Sequence, residues 1–233
     1  NNYLSFNMGN AGGYSGWSIG AAIPNNYDAP MNAIMFPWQD TYPGVNGNGN
    51  ISFATFGEAP NRVFVVSFCG VPMFSCTDQW SGSQVKIYES TNIIETHLSE
   101  KVLCSSWNSG AAIHGLHNSD GTIAHVVSPE NELPRNYPTQ WTAQNEAWRF
   151  IPNGNADYII EPIDFSPAYS SSVVTWTDGD GNYIGSGSTI TVFPTENTTY
   201  IATGIDGGDG NCGGLSEEFN IIFNECEDTE GCT

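Results

Sequence analysis

The chain has 233 residues, 39% of them hydrophobic and 12% aromatic, enough for one large all-β domain or two ordinary ones and too apolar for disorder. Five Lys and Arg stand against 25 Asp and Glu, a formal net charge of −20, which repels phosphate backbones and anionic headgroups and argues against nucleic-acid and membrane-surface binding. No apolar run approaches the roughly eighteen residues needed for direct membrane insertion, and no basic stretch leads into an apolar one as in a signal peptide.

Helical periodicity is nearly missing: no window carries apolar residues at i, i+3, i+4 and i+7 between capping residues. The chain opens on NNYLSFNMGN, where Tyr3, Leu4 and Phe6 already read like mid-strand, so a mature or trimmed piece of something longer is expected. GWSIG (16–20) matches the G-x-S-x-G nucleophile elbow with Ser18 in place. That elbow works as a strand-to-helix turn, and the loop-like AAIPNNYDAP that follows supplies no helix, so catalysis by Ser18 is not expected. In FPWQDTYPG (36–44), Asp40 lies beside Trp38 and Tyr42, a candidate binding cluster of the kind that faces carbohydrate. Asp40 with Glu89 and Glu95 could also supply carboxylates for glycoside hydrolysis. The plainer reading of WQD is the cap of a buried aromatic strand.

Short β-rich runs then follow at turn-separated intervals: ISFATFG, RVFVVSFCG, SQVKIYES, NIIETHLS, AAIHGLHN and IAHVV. All four histidines fall here, with Cys104 among them, as in a zinc site. On strands, however, Ile93, Glu95 and His97 share one face and Ile94, Thr96 and Leu98 the other. His114 and His117, three apart, point to opposite faces and do not converge on one ion without a bulge. AWRFIPNGNADY (147–158) ends an aromatic strand in Pro-Asn-Gly-Asn, where a domain boundary is expected.

Beyond it, VVTWTD, YIGSG, TITVFP, TTYIATG and FNIIFNE mark a unit the size of an immunoglobulin-like module, with Trp176 and Tyr200 as core residues and PTENTT (194–199) as a turn. DGDGN (Asp178, Asp180, Asn182) and DGGDGN (Asp206, Asp209, Asn211) read first as hairpin-turn chemistry. Calcium, the one cofactor the chain points to, is the second reading, although neither run follows the EF-hand pattern. The tail NECEDTEGCT (224–233) has no strand pattern. The expectation is all-β, two antiparallel sandwich-type domains in tandem at 1–153 and 157–224, with 225–233 a linker or the start of a further module.

Six cysteines permit fifteen pairings, and no C-x-x-C motif is present. Disulfides fit an extracellular setting. The pairing expected is Cys76 with Cys104 and Cys212 with Cys226.

APMNAIMFPWQDTYPG, GNISFATFGEAPNRVFVVSFCGVPMFSC, VKIYESTNIIETHLSEKVLCSSWNSGAAIHGLHN and NEAWRFIPNG together resemble the amino-terminal module of very large Bacteroidota surface proteins exported by the type IX secretion system. These are gliding-motility-associated or adhesin-like, and the module in turn resembles the extracellular domain of nidogen. GSGSTITVFPTENTTYIAT resembles the Ig-like or PKD-like repeats of such proteins. Against that pattern, the first domain is expected to be only partly represented, without the first strands and the glycine turn before YLSF, and no carboxy-terminal sorting domain is read in these residues. The resemblance implies a secreted, non-enzymatic module of cell adhesion at the bacterial surface. Its partner would be an extracellular glycan, a surface protein, or the secretion machinery with the chain as cargo. The alternative is an accessory glycan-binding module of a secreted polysaccharide-degrading enzyme. Candidate contact aromatics are Trp17, Trp38, Tyr42, Trp80, Trp107 and Tyr137, although burial in a core is the commoner use of each such ring.

Overall fold

The computed structural model describes residues 1–7, 16–45, 49–168, 174–187, 189–204 and 216–223. The chain divides into two units, the first taking in Asn1–Ala168 and the second the strands from Val174 onward. The fold is all-β: among the described residues there is no α-helix, and every strand pairing is antiparallel.

The first unit is a sandwich. One sheet has the order β1 (Tyr3–Ser5), β2 (Ala33–Trp38), β7 (Ile113–His117), β8 (Ala124–Val126). The other runs β10 (Tyr158–Ile163), β9 (Ala143–Pro152), β6 (Ile94–Lys101), β5 (Cys76–Tyr88), β4 (Val63–Met73), β3 (Asn50–Phe56). Between them Ile34, Phe36 and Leu116 of the smaller sheet meet Val66, Phe68, Val85, Ile94, Trp148 and Phe150 of the larger. Phe36 and Phe68 meet edge to face at 5.5 Å.

β2 is buried at every position because it is covered twice. Ile34 and Phe36 face the other sheet, while Ala33, Met35 and Trp38 pack under Ile19, Ile23 and Ala29 of the preceding loop. A strand buried on both faces reads as a continuous apolar run, as AIMFPW does. In β4 the pairing with β5 slips between Phe68 and Val71, and Gly70 (φ +53°) takes the left-handed conformation such a bulge uses.

Among the described glycines, Gly115 marks the tightest backbone approach. A Cβ there would lie 2.3 Å from the His125 carbonyl oxygen and 3.0 Å from the Val126 Cα on β8. Both are backbone atoms and cannot rotate away. Gly115→Ala is therefore expected to lower stability by about 1–3 kcal/mol, read as a fall in the thermal unfolding midpoint. An unchanged midpoint would mean β8 is not held at this distance.

Two expectations need correction. Pro-Asn-Gly-Asn is not a domain boundary but the turn of a hairpin: β10 pairs with β9 along its whole length, from Tyr158 opposite Pro152 to Ile163 opposite Ala147, and the first unit runs on to Ala168. A breaker cluster punctuates a hairpin as well as a linker, and only the pairing distinguishes them. TITVFP is not a strand of any sheet among the described residues, although alternate residues remain the more covered ones.

In the second unit the described strands form one four-stranded sheet, β12 (Tyr183–Ser186), β11 (Val174–Asp178), β13 (Thr198–Gly204), β14 (Ser216–Ile221). DGDGN is its hairpin turn. Trp176 stands 5.6 Å from Phe219 and donates from its indole nitrogen to the Gly187 carbonyl at 2.9 Å, and Tyr200 is buried.

Candidate ligand-binding surface

The loops at one end of the first unit carry a continuous row of aromatic rings. Trp17 comes from the loop before β2, Trp107 from the loop after β6, Phe74 from the β4–β5 turn and Tyr42 from the segment after β2. Successive ring centroids are 5.9, 5.1 and 5.8 Å apart. Trp17 and Tyr42 are each 47% exposed and Phe74 38%, unusual for rings that ordinarily fill cores.

The row is held from below. The Tyr42 N–H donates to the Pro72 carbonyl at 2.7 Å and the Phe74 N–H to the Asp40 carbonyl at 3.2 Å, stitching two loops together. Asn108 Nδ2 donates to the Trp17 carbonyl at 2.8 Å, and the Trp38 indole to the Gly16 carbonyl at 2.8 Å. The expected Cys76–Cys104 disulfide is present, Cα atoms 5.9 Å apart, and joins the turn bearing Phe74 to the loop bearing Trp107. Cys69 is also disulfide-bonded. The expected Cys212–Cys226 pair lies outside the described residues.

Of the sequence-derived trio, Tyr42 belongs to the row. Asp40 lies beneath it, 9% exposed, its Oδ2 accepting from the Trp107 indole at 2.6 Å. Burial raises its pKa, and the Trp107 hydrogen bond opposes the rise. Trp38 is wholly buried and so offers no face to a ligand: it caps the core, as the plainer reading of WQD has it. Trp17 and Trp107 of the broader aromatic set join the row, and Phe74 is the member the sequence reading missed. Nothing local in VPMFSC separates an exposed Phe from a core one. Below the row a cavity of about 10 Å³, room for a single water, is lined by Gln39, Asp40, Met73 and Lys101 among others. Gln39 Oε1 is buried without a hydrogen-bond partner. The Lys101 amine donates to the Val102 carbonyl at 2.9 Å, and burial, with the Arg135 charge adding, brings its pKa down to about 7.

The remaining candidates are scattered. Ser18 is exposed with no helix after it. Glu89 follows β5, at the far end of that strand from Asp40's loops, and Glu95 lies mid-sheet, so the three carboxylates do not form one site. Each histidine has its own partners. His97 donates from Nε2 to Glu95 at 3.4 Å and accepts from the Ser166 N–H at 3.3 Å. His114 contacts Thr96 Oγ1 at 2.8 Å and stacks on Trp141. On the opposite face of β7, His117 donates to the Pro30 carbonyl and accepts from the Asn25 N–H. His125 donates to the Ala156 carbonyl. No group of three His, Cys, Asp or Glu side chains placed to hold a metal occurs among the described residues. Asp178 accepts from the N–H groups of Asp180 and Asn182 and from the Asn182 side chain, the bonding of a tight turn. Asp206 and Asp209 lie outside the described residues.

All five cations of the sequence are engaged, which decides what the surface attracts. Lys86, Glu95, Arg149 and Glu161 stand directly opposite one another across β5, β6, β9 and β10, alternating in sign. Arg62 binds Glu89. Arg135 forms a two-point pair with Glu146 and lies 4.3 Å over the Trp141 ring. Lys101 is buried 5.0 Å over the same ring. The surface is therefore left with unpaired carboxylates.

Comparison with protein families places residues 1–159 under a family model described as NIDO related. Neither the comparison with curated proteins nor that with solved structures returned a match.

Proposed function

Because the chain belongs to the NIDO-related family, we propose that it is a non-enzymatic, extracellular adhesion module of a large cell-surface protein, a type IX secretion cargo associated with gliding or attachment. The observation that carries this reading is the row Trp17–Trp107–Phe74–Tyr42, with Trp17, Phe74 and Tyr42 exposed and Trp107 partly covered between them, on loops that a disulfide ties together. Binding residues concentrate on loops positioned by a rigid scaffold. NIDO-like domains are typically extracellular, disulfides persist in oxidising compartments, and no described helix is long and apolar enough to cross a membrane. The sandwich supplies the rigid mount and the loops the contact. Against a hydrolase stands the engagement of Asp40, Glu89 and Glu95 by Trp107, Arg62 and Arg149.

The test is adhesion under flow. Beads coated with the purified chain should be retained on surfaces of polysaccharide or of bacterial cells well above beads coated with an equally acidic control protein. Retention no better than the control, or repeated release of product from a soluble polysaccharide, would overturn the proposal. The same row of rings favours the second reading, a glycan-binding accessory to a secreted polysaccharide-degrading enzyme.

A further inference from the structure

We infer that the aromatic row binds a single chain of a neutral polysaccharide, and that the Cys76–Cys104 disulfide holds the row in its binding shape. This rests on the adhesive reading above and adds the ligand class and the site.

The rings come first. The face of an aromatic ring carries negative charge density and attracts positively polarised groups. The C–H-bearing face of a pyranose is such a group, apolar yet polarised, and its hydroxyl rim needs polar neighbours. Both are present: rings at steps of 5.9, 5.1 and 5.8 Å, comparable with the advance of one sugar along a linear chain. Ser75, Ser106 and Asn108 stand beside them, with hydroxyls of Ser75 and Ser106 3.3 Å apart.

Ring orientation selects the form of the polymer. Adjacent planes turn by 34°, 61° and 47°, so no two neighbouring rings are coplanar. A flat crystalline face cannot lie against two neighbouring rings at once, whereas a single twisting chain can follow them.

Charge selects neutrality. The net charge is −20, every Lys and Arg is engaged, and Lys101, in the cavity below the row, is 1% exposed with its pKa brought down to about 7. A uronate or sulfated chain would meet repulsion with no cation to bind. A protein partner is disfavoured by size. The row is one ring wide, while a stable protein interface buries roughly 800 Å² on each side.

The disulfide supplies preorganisation. It joins Cys76, two residues after Phe74, to Cys104, three before Trp107, so the central ring pair is set by a covalent tie. Loops ordered before binding lose less entropy on binding.

The experiment is affinity electrophoresis of the full chain through gels containing soluble galactomannan, laminarin or hydroxyethyl cellulose, with alginate and crystalline cellulose as contrasts. Retardation is expected with at least one neutral polymer and not with alginate. Trp17→Ala and Tyr42→Ala, both at exposed rings, should each weaken binding about tenfold with unchanged melting temperature. Cys76→Ser/Cys104→Ser should weaken it further, and far-ultraviolet circular dichroism confirms that the sheets persist. Adhesion under flow without retardation by any neutral polymer, or retardation unaffected by Trp17→Ala and Tyr42→Ala, overturns this inference and leaves the adhesive reading standing. Loss of both adhesion and retardation in the unaltered chain removes both.

Discussion

Glu146→Ala is expected to lower the free energy of unfolding by about 3–5 kcal/mol. Arg135 is 2% exposed, lies against the Trp141 ring, and has the Glu146 carboxylate for its two-point partner. The same carboxylate accepts the Trp148 indole N–H. Truncation thus strands two buried donors at once, one of them charged, and an unpaired buried cation is far more unfavourable than a buried apolar pair. The Arg135 Nε already lacks a partner, and the one other carboxylate beside the guanidinium among the described residues, Glu132 at 3.9 Å, is exposed and beyond hydrogen-bond distance. Urea denaturation measures the loss. The control is Arg135→Met/Glu146→Leu, which removes both charges and should recover most of the stability. A single variant as stable as the parent would show that solvent reaches the guanidinium.

Acid should destabilise the protein through Glu95. Its burial alone would raise its pKa. Hydrogen bonds from His97, Arg149 and Tyr88, with the Lys86 charge nearby, outweigh that and bring it from an ordinary 4.5 to about 2. A carboxyl depressed in the folded state contributes stability that is complete above pH 4.5 and is lost as pH falls towards 2. The shift corresponds to about 3 kcal/mol, an upper figure because Arg149 is 37% exposed and partly screened. Burial also depresses the pKa of both His97 and His114. Each is held neutral, and the unfolded chain takes up their protons first, so stability begins to fall below the ordinary histidine pKa of about 6.5. Glu95→Gln is expected to lower stability at pH 7 and to flatten the acid limb between pH 4.5 and 2, leaving the histidine limb above it. Denaturation curves at pH 7, 4.5, 3 and 2 decide the matter, and parallel acid limbs in parent and variant would exclude Glu95 as the cause.

Much of this architecture is local and therefore legible. Val, Ile, Phe and Thr runs broken by Gly and Asn place most strands within a few residues, and strand parity alone puts His97 with Glu95 and His114 opposite His117. The hairpin at DGDGN follows from Asp-Gly chemistry. Sequence spacing fails where a signal has two physical readings. Pro-Asn-Gly-Asn could open a linker or close a hairpin, and it is the Trp148–Pro162 and Phe150–Ile160 pairings that make it a hairpin.

The site was half visible. Tyr42, Trp17 and Trp107 are aromatics among loop residues and could be named, but Trp38 has the same local setting and is completely buried. Exposure of a ring depends on what the rest of the chain lays over it: Ile19, Ile23 and Ala29 cover Trp38, while Trp107 is left at the rim with Asp40 beneath. The charged row is more hidden still, since Lys86, Glu95, Arg149 and Glu161 meet only once four strands are in register. The sequence by itself determined the β class, the acidic surface and the strand faces, because propensity, charge and alternation are properties of short segments. Only the tertiary structure decided which aromatics face solvent and which charges are paired, because burial and register are set by contacts between residues far apart in the chain.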